Sequence, residues 1–193
     1  MDKCQWCSKE SNGYGMVVLT EKEGEDSQLI CGGCFNEYMV NIYELEDFES
    51  YQKETILFDC NDIEHSFQIQ NRIHPTGVSW EAVEFLEGDK TGYLFQINQE
   101  FDEDPSIALE RLYKKIEIGL SKKFIERKVS FGQEFNSIID EVVEGRIEWD
   151  EEYEGSIPKL IIDGKEYSFY ELGRMLMTYE GWNFKLEIIE PTE

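Results

Sequence analysis

Residues 31–48 read CGGCFNEYMVNIYELEDF, and the order of events within them decides what kind of fold the chain begins with. A cysteine pair is followed at once by Phe35, Tyr38, Met39, Ile42, Tyr43 and Leu45, apolar side chains that recur at the spacing of one helix face. The pair Cys31 and Cys34 therefore opens a helix. Upstream lies a matching unit, Cys4-Gln5-Trp6-Cys7, separated from the second by 23 residues. Between them, 14–20 (YGMVVLT) is rich in β-formers, 21–26 (EKEGED) supplies a polar turn containing glycine, and 28–30 (QLI) returns as a second strand. That hairpin brings the two pairs together.

Two CxxC units at this separation predict a four-thiolate structural zinc site with Cys4, Cys7, Cys31 and Cys34 as ligands, one Zn²⁺ per chain. Free amides and the dipole at a helix N-terminus favour thiolates at Cys31 and Cys34, and Gly32 and Gly33 let the backbone turn closely around the ion. Four sulfurs leave no water position, so the expected role is structural. A disulfide framework fits poorly, because 1–4 (MDKC) lacks the basic-then-apolar layout of an export signal. A redox CxxC belongs to a βαβ unit and does not come in matched pairs. The order of knuckle, hairpin and helix resembles the treble-clef type of zinc finger, over about the first quarter of the chain.

The fifth cysteine, Cys60, lies in the apolar run 56–62 (ILFDCND), where a lone cysteine reads as a small core residue. Together with Asp62, His65 and His74 it could be assembled on paper into a second metal or nucleophilic site, but no defined spacing supports that. In 65–70 (HSFQIQ) the alternation puts His65 on the same face as Phe67 and Ile69, which predicts a half-buried, hydrogen-bonded ring. His74 precedes Pro75 and is expected to be extended, entering a turn at 75–77 (PTG).

Residues 44–53 are polar and acidic and mark the end of the finger. From 55 to 101 come short strand-like runs at 56–58, 65–73, 79–87 and 93–101, the last two joined by a turn at 88–92 (GDKTG). They predict an antiparallel sheet with one dry face. Then the period changes. Asp104 suits an N-cap, Pro105 the first helical position, and Ile107, Leu109, Leu112, Ile116, Leu120 and Phe124 form one face of a long helix covering the sheet. Its other face would carry Arg111, Lys114, Lys115, Lys122, Lys123, Arg127 and Lys128, read as a solvated face rather than as a docking stripe for an acidic partner.

In the last third, 146–148 predicts a strand, 149–155 an acidic loop, and 157–162 a strand ending in a tight turn at 163–165 (DGK). Ser168 and Glu171 form a capping box that opens a helix through Leu172, Met175, Leu176 and Tyr179. Met175 and Met177 are expected in packing, Gly181 ends the helix, and 182–189 (WNFKLEII) reads as a final strand. The fold class is thus α+β: a treble-clef-like zinc finger over 1–50, a mainly antiparallel sheet with a long helix over 54–130, and a strand-helix-strand unit over 131–193. Whether the last two share a core is left open by the pattern.

The stretches 162–165 (IDGK), 173–176 (GRML) and 180–182 (EGW) are similar to the C-terminal signature of a group of bacterial proteins described only as domains of unknown function. Some of these carry an N-terminal module of CxxC pairs, and 74–77 (HPTG) is similar as well. The resemblance implies a bacterial, cytoplasmic protein and supplies no activity.

Charge narrows the function. The 193 residues hold 18 basic and 42 acidic side chains, a net charge of -24, with 3 basic and 11 acidic in residues 1–50, 10 and 15 in 51–130, and 5 and 16 in 131–193. Every part is acidic, the finger included, so phosphate is repelled and nucleic acid is excluded as a partner. With 40% hydrophobic residues there is material for a core, and no apolar run approaches the roughly 20 residues of a membrane span. The chain contains no phosphate loop, nucleophile elbow, HExxH motif or histidine with an evident carboxylate partner, which argues against an enzyme. A protein-interaction or adaptor module presenting aromatics such as Trp6 and Tyr14 is expected, possible as a homo-oligomer. The second expectation is an acidic immunity-type or decoy protein for a basic partner.

Overall fold

A computed structural model describes residues 2–11, 15–20, 26–86 and 91–192. Tyr14 and most of the expected turns at 21–26 and 88–92 lie outside them.

Two short strands, β1 (Asp2–Lys3) and β2 (Glu10–Ser11), pair around the first cysteine unit, and β3 (Met16–Leu19) pairs antiparallel with β4 (Gln28–Cys31). Helix α1 (Gly32–Tyr43) follows directly, with Cys31 as its N-cap residue, and it ends where Glu44 turns left-handed at φ 50°. Next comes a four-stranded antiparallel meander of β5 (Gln52–Phe58), β6 (Glu64–His74), β7 (Gly77–Phe85) and β8 (Thr91–Gln99), in that spatial order. Strand β5 begins earlier than the apolar run 56–58 suggested. His74 pairs with Gly77 across the Pro75-Thr76 turn, as its position before proline predicted.

Alternation decides which face is dry. Along β6, Phe67, Ile69, Asn71 and Ile73 are buried while their neighbours are not. Phe67, Ile69 and Ile73 pack with Trp80, Ala82 and Ile97 against Ala108, Leu112, Ile116 and Leu120 of helix α2 (Pro105–Leu120). On the opposite face, Glu81 accepts from Gln70 Nε2 at 3.2 Å and Gln96 Nε2 at 2.8 Å, a polar rung across three strands. Helix α2 lies close on the sheet at Gly119, where a Cβ would stand 2.3 Å from Phe95 Cε1. Met39 and Val40 of α1, with Leu45, Phe48 and Tyr51 after it, pack onto this same core.

The last third holds the hairpin of β9 (Ile125–Ser130) and β10 (Gln133–Ile138), then a three-stranded sheet of β11 (Arg146–Glu148), β12 (Lys159–Ile162) and β13 (Lys165–Ser168), then α3 (Phe169–Leu176). The capping box is formed: Glu171 N donates to Ser168 Oγ, and Ser168 N donates to Glu171 Oε2. Asp163 and Gly164 both have positive φ, 53° and 73°, as a two-residue turn between twisted strands requires.

Five expectations are corrected. The long helix stops at Leu120, not Phe124; its buried face is Ala108, Leu112, Ile116 and Leu120, and Ile107 is exposed. The basic stripe accordingly dissolves, because Lys122 and Lys123 sit in the connector, and Arg127 and Lys128 belong to β9. Cys60 is exposed rather than packed; period-two alternation after β5 turns Asp59 inward and Cys60 outward. Met175 is buried, but Met177 is exposed. Finally, 182–189 forms no strand. Its pattern is right for one, but it has no neighbour to pair with among the described residues.

Candidate metal centre

The first CxxC is shaped by backbone bonds. Cys4 N donates to Lys9 O and Ser8 N to Cys4 O, both at 2.9 Å, with Ser8 at φ 63°, so the chain wraps back around the sulfur of Cys4. Gln5 fixes this knuckle to the hairpin: its amide donates to Leu29 O, and its side-chain oxygen accepts from Leu29 N. Trp6 donates to Gln28 and packs edge-on to Tyr38 of α1, with ring centroids 5.8 Å apart, while remaining 41% exposed.

These contacts bring all four predicted cysteines together. Cys4 Sγ lies 3.8 Å from Cys34 Sγ, Cys7 Sγ lies 3.7 Å from Cys31 Sγ, and all four sulfurs are within 4.8 Å of one another. Zn–S bonds of about 2.3 Å in a tetrahedron set its edge at about 3.8 Å, so the donor spacing fits such an ion. Cys4, Cys31 and Cys34 are buried and Cys7 faces solvent. Burial raises the Cys4 pKa, but hydrogen bonds from the backbone of Cys7, Cys31 and Trp6 outweigh it and bring the thiol down to about 6. Burial and the neighbouring sulfurs push Cys34 up, and burial pushes Cys31 up. One thiolate thus suppresses its neighbours, a repulsion that a cation at the centre removes.

A second constellation was not foreseen. Far from lacking carboxylate partners, His65 has two: Nδ1 is 2.6 Å from Glu84 Oε1 and Nε2 is 3.3 Å from Asp59 Oδ2. Lys123 Nζ reaches Asp59 Oδ2 at 2.7 Å and Tyr93 Oη at 2.8 Å, and Tyr93 N donates to Glu84 Oε2. His65, Asp59 and Glu84 are buried. Burial opposes the Asp59 charge, but Lys123, the amides of Ile63 and Asn61, and His65 outweigh it and hold the carboxyl well below the usual range. Burial likewise opposes the Lys123 charge, and bonds to Asp59 and Tyr93 prevail, raising its pKa. Neither Cys60 nor Asp62 joins this cluster, and His74 instead accepts from Thr76 at the β6–β7 turn. The only sequence signal for it was the placement of His65 on the core face.

The arrangement defines a four-cysteine cluster with the geometry to hold a metal ion, on a mainly antiparallel α+β scaffold. Three families, each described as a domain of unknown function, match the chain in succession: DUF7685 over residues 3–46, DUF7686 over 49–121 and DUF7713 over 124–193. No curated protein and no solved structure matches it. Among the described residues, no helix is long and apolar enough to cross a membrane.

Proposed function

We propose that this chain is a protein-interaction or adaptor module whose N-terminal unit, a treble-clef-type finger, is stabilised by one structural zinc on Cys4, Cys7, Cys31 and Cys34. Four thiolates fill a tetrahedral ion and leave it no open position, so the site holds a fold together and activates no water. The observation that carries the interaction reading is at the other end. Trp182, Phe184, Leu186 and Ile188 are 63%, 88%, 76% and 70% exposed, four alternate apolar side chains of which only Trp182 meets another ring among the described residues, that of Tyr179. Contiguous apolar surface of this kind on a water-soluble chain marks a contact site. The five unpaired thiols suit the reducing cytoplasm of a bacterial cell.

The test is capture of binding proteins by the immobilised full chain beside Phe184→Ser/Leu186→Ser. A protein held by the first and lost from the second supports the reading. Equal capture by both, or capture by neither with turnover of a metabolite, overturns it. The net charge of -24 favours a second reading, an acidic decoy for a basic protein. Binding that collapses with added salt selects it, and salt-insensitive binding removes it.

A further inference from the structure

We propose that the cavity between the exit of α1 and the end of the sheet is a binding site for an organic cation bearing an alkylammonium group. The cavity, of about 460 Å³, is lined by residues 45–51 together with Asn71, Val78, Trp80, Gln99, Phe101, Glu103 and Pro105. This proposal stands apart from the zinc-stabilised module and does not depend on it.

Three observations set the ligand class. First, four aromatic rings line the space, those of Phe48, Tyr51, Trp80 and Phe101, and Tyr51 and Trp80 meet with centroids 5.2 Å apart. Second, the charged residues at the wall are Glu46, Asp47, Glu49 and Glu103, of which Glu103 is already paired with Arg111 at 3.0 Å, and no lining residue is basic. Third, the uncharged polar groups of Trp80 and Gln99 and the amide of Tyr51 are already committed. Trp80 Nε1 donates to Gln99 Oε1 at 2.6 Å, Gln99 Nε2 to Glu103 O at 2.8 Å, and Tyr51 N to Asn71 Oδ1 at 2.8 Å.

The walls therefore offer aromatic surface, with negative charge at the rim from Glu46, Asp47 and Glu49. An anion is repelled, and a neutral polar molecule finds these donors and acceptors taken. An alkylammonium satisfies both features: its methylenes lie against the rings, its charge meets the negative π faces and the rim carboxylates. The surrounding charge of -24 concentrates such ions near the mouth. The group can belong to a free polyamine or to a lysine side chain, which share this chemistry.

Isothermal titration of the full, zinc-loaded chain with spermidine, with an acetylated and amidated lysine, and with 1,6-hexanediol tests the proposal. One saturable site for an amine and none for the diol is expected, with affinity falling about fivefold or more in Phe101→Leu, which keeps an apolar side chain but removes the ring. Asp47→Asn/Glu49→Gln, on exposed positions, is expected to weaken binding comparably. Tighter binding of spermidine assigns the site to a free polyamine, and tighter binding of the lysine derivative to a partner's side chain. Several amines per chain, unaffected by Phe101→Leu, would mean diffuse attraction to an acidic surface and overturn the proposal. Equal binding of the diol, or no saturable binding of either amine, overturns it as well.

Discussion

Lys123 Nζ lies 2.7 Å from Asp59 Oδ2, and the aspartate side chain is wholly shut off from water. The contact joins the end of β5 to the connector that follows α2, and it makes the buried charge of Asp59 depend on a residue 64 positions downstream. Removing one partner of a buried pair leaves the other charge uncompensated, at a cost of about 3–5 kcal/mol. Lys123→Met is therefore expected to lower stability by about 3 kcal/mol, read from urea melts at neutral pH.

The same pair sets a pH window. The Asp59 carboxyl is held below its ordinary value, so its contribution is present above the unfolded pKa of about 3.9 and is lost as pH falls through the folded one. Lys123 is raised, so its contribution is complete below about 10.4 and is lost as pH rises beyond. The stability difference between wild type and Lys123→Met should hold between about pH 5 and 10 and shrink below about pH 4. A difference that grows on acidification would contradict this account.

Asn36 of α1 stands in for a missing strand. Past the bond from Asn71 N to Tyr51 O, β6 has no strand on that edge among the described residues, and the Asn36 side chain takes its place, accepting from Ile73 N at 3.0 Å and donating to Asn71 O at 3.0 Å. The residue is buried, so Asn36→Ala leaves two backbone groups unpaired and is expected to cost about 1–3 kcal/mol. Amide hydrogen exchange at Ile73 should accelerate more than exchange elsewhere in β6.

How far the sequence could be read depended on the range of each interaction. The cysteine pairs, the Asp104-Pro105 helix start, the Ser168 capping box and the alternation of β6 are local patterns, and each is present in the fold. The end of α2 is not local. Ser121 is no stop signal in itself; the helix ends where Leu120 O accepts from Cys60 N and where Asp163 takes the amides of Phe124 and Ile125. Likewise, the two carboxylate partners of His65 come from β7 and from the residue that follows β5, and the role of Asn36 is set by a strand far away in sequence. For 182–189 the pattern was strand-like, yet pairing is a property of two segments.

Chelation should separate the finger from the rest. One zinc per chain is expected by elemental analysis, and a strong chelator or Cys34→Ser should lower the melting temperature by several degrees, since metal affinity is folding free energy here. The loss should also reach β6, because α1 starts at the cluster and carries Asn36. Protein that purifies metal-free with four titratable thiols, and melts unchanged in chelator, would remove the zinc assignment.

The C-terminal segment gives the opposite expectation. Phe184 and Leu186 are exposed and belong to no core cluster, so Phe184→Ser/Leu186→Ser should change unfolding free energy by no more than about 0.5 kcal/mol. A docked strand would behave differently, since burying a Phe or Leu side chain is worth about 1.5–3 kcal/mol. The melt therefore measures whether these side chains are already spent within the chain. An unchanged melt together with a lost partner places the cost of the substitution in the interface. A large drop in the isolated protein would instead show that the segment pairs with this fold, or with a second copy of it, and concentration dependence of the melt separates those two cases.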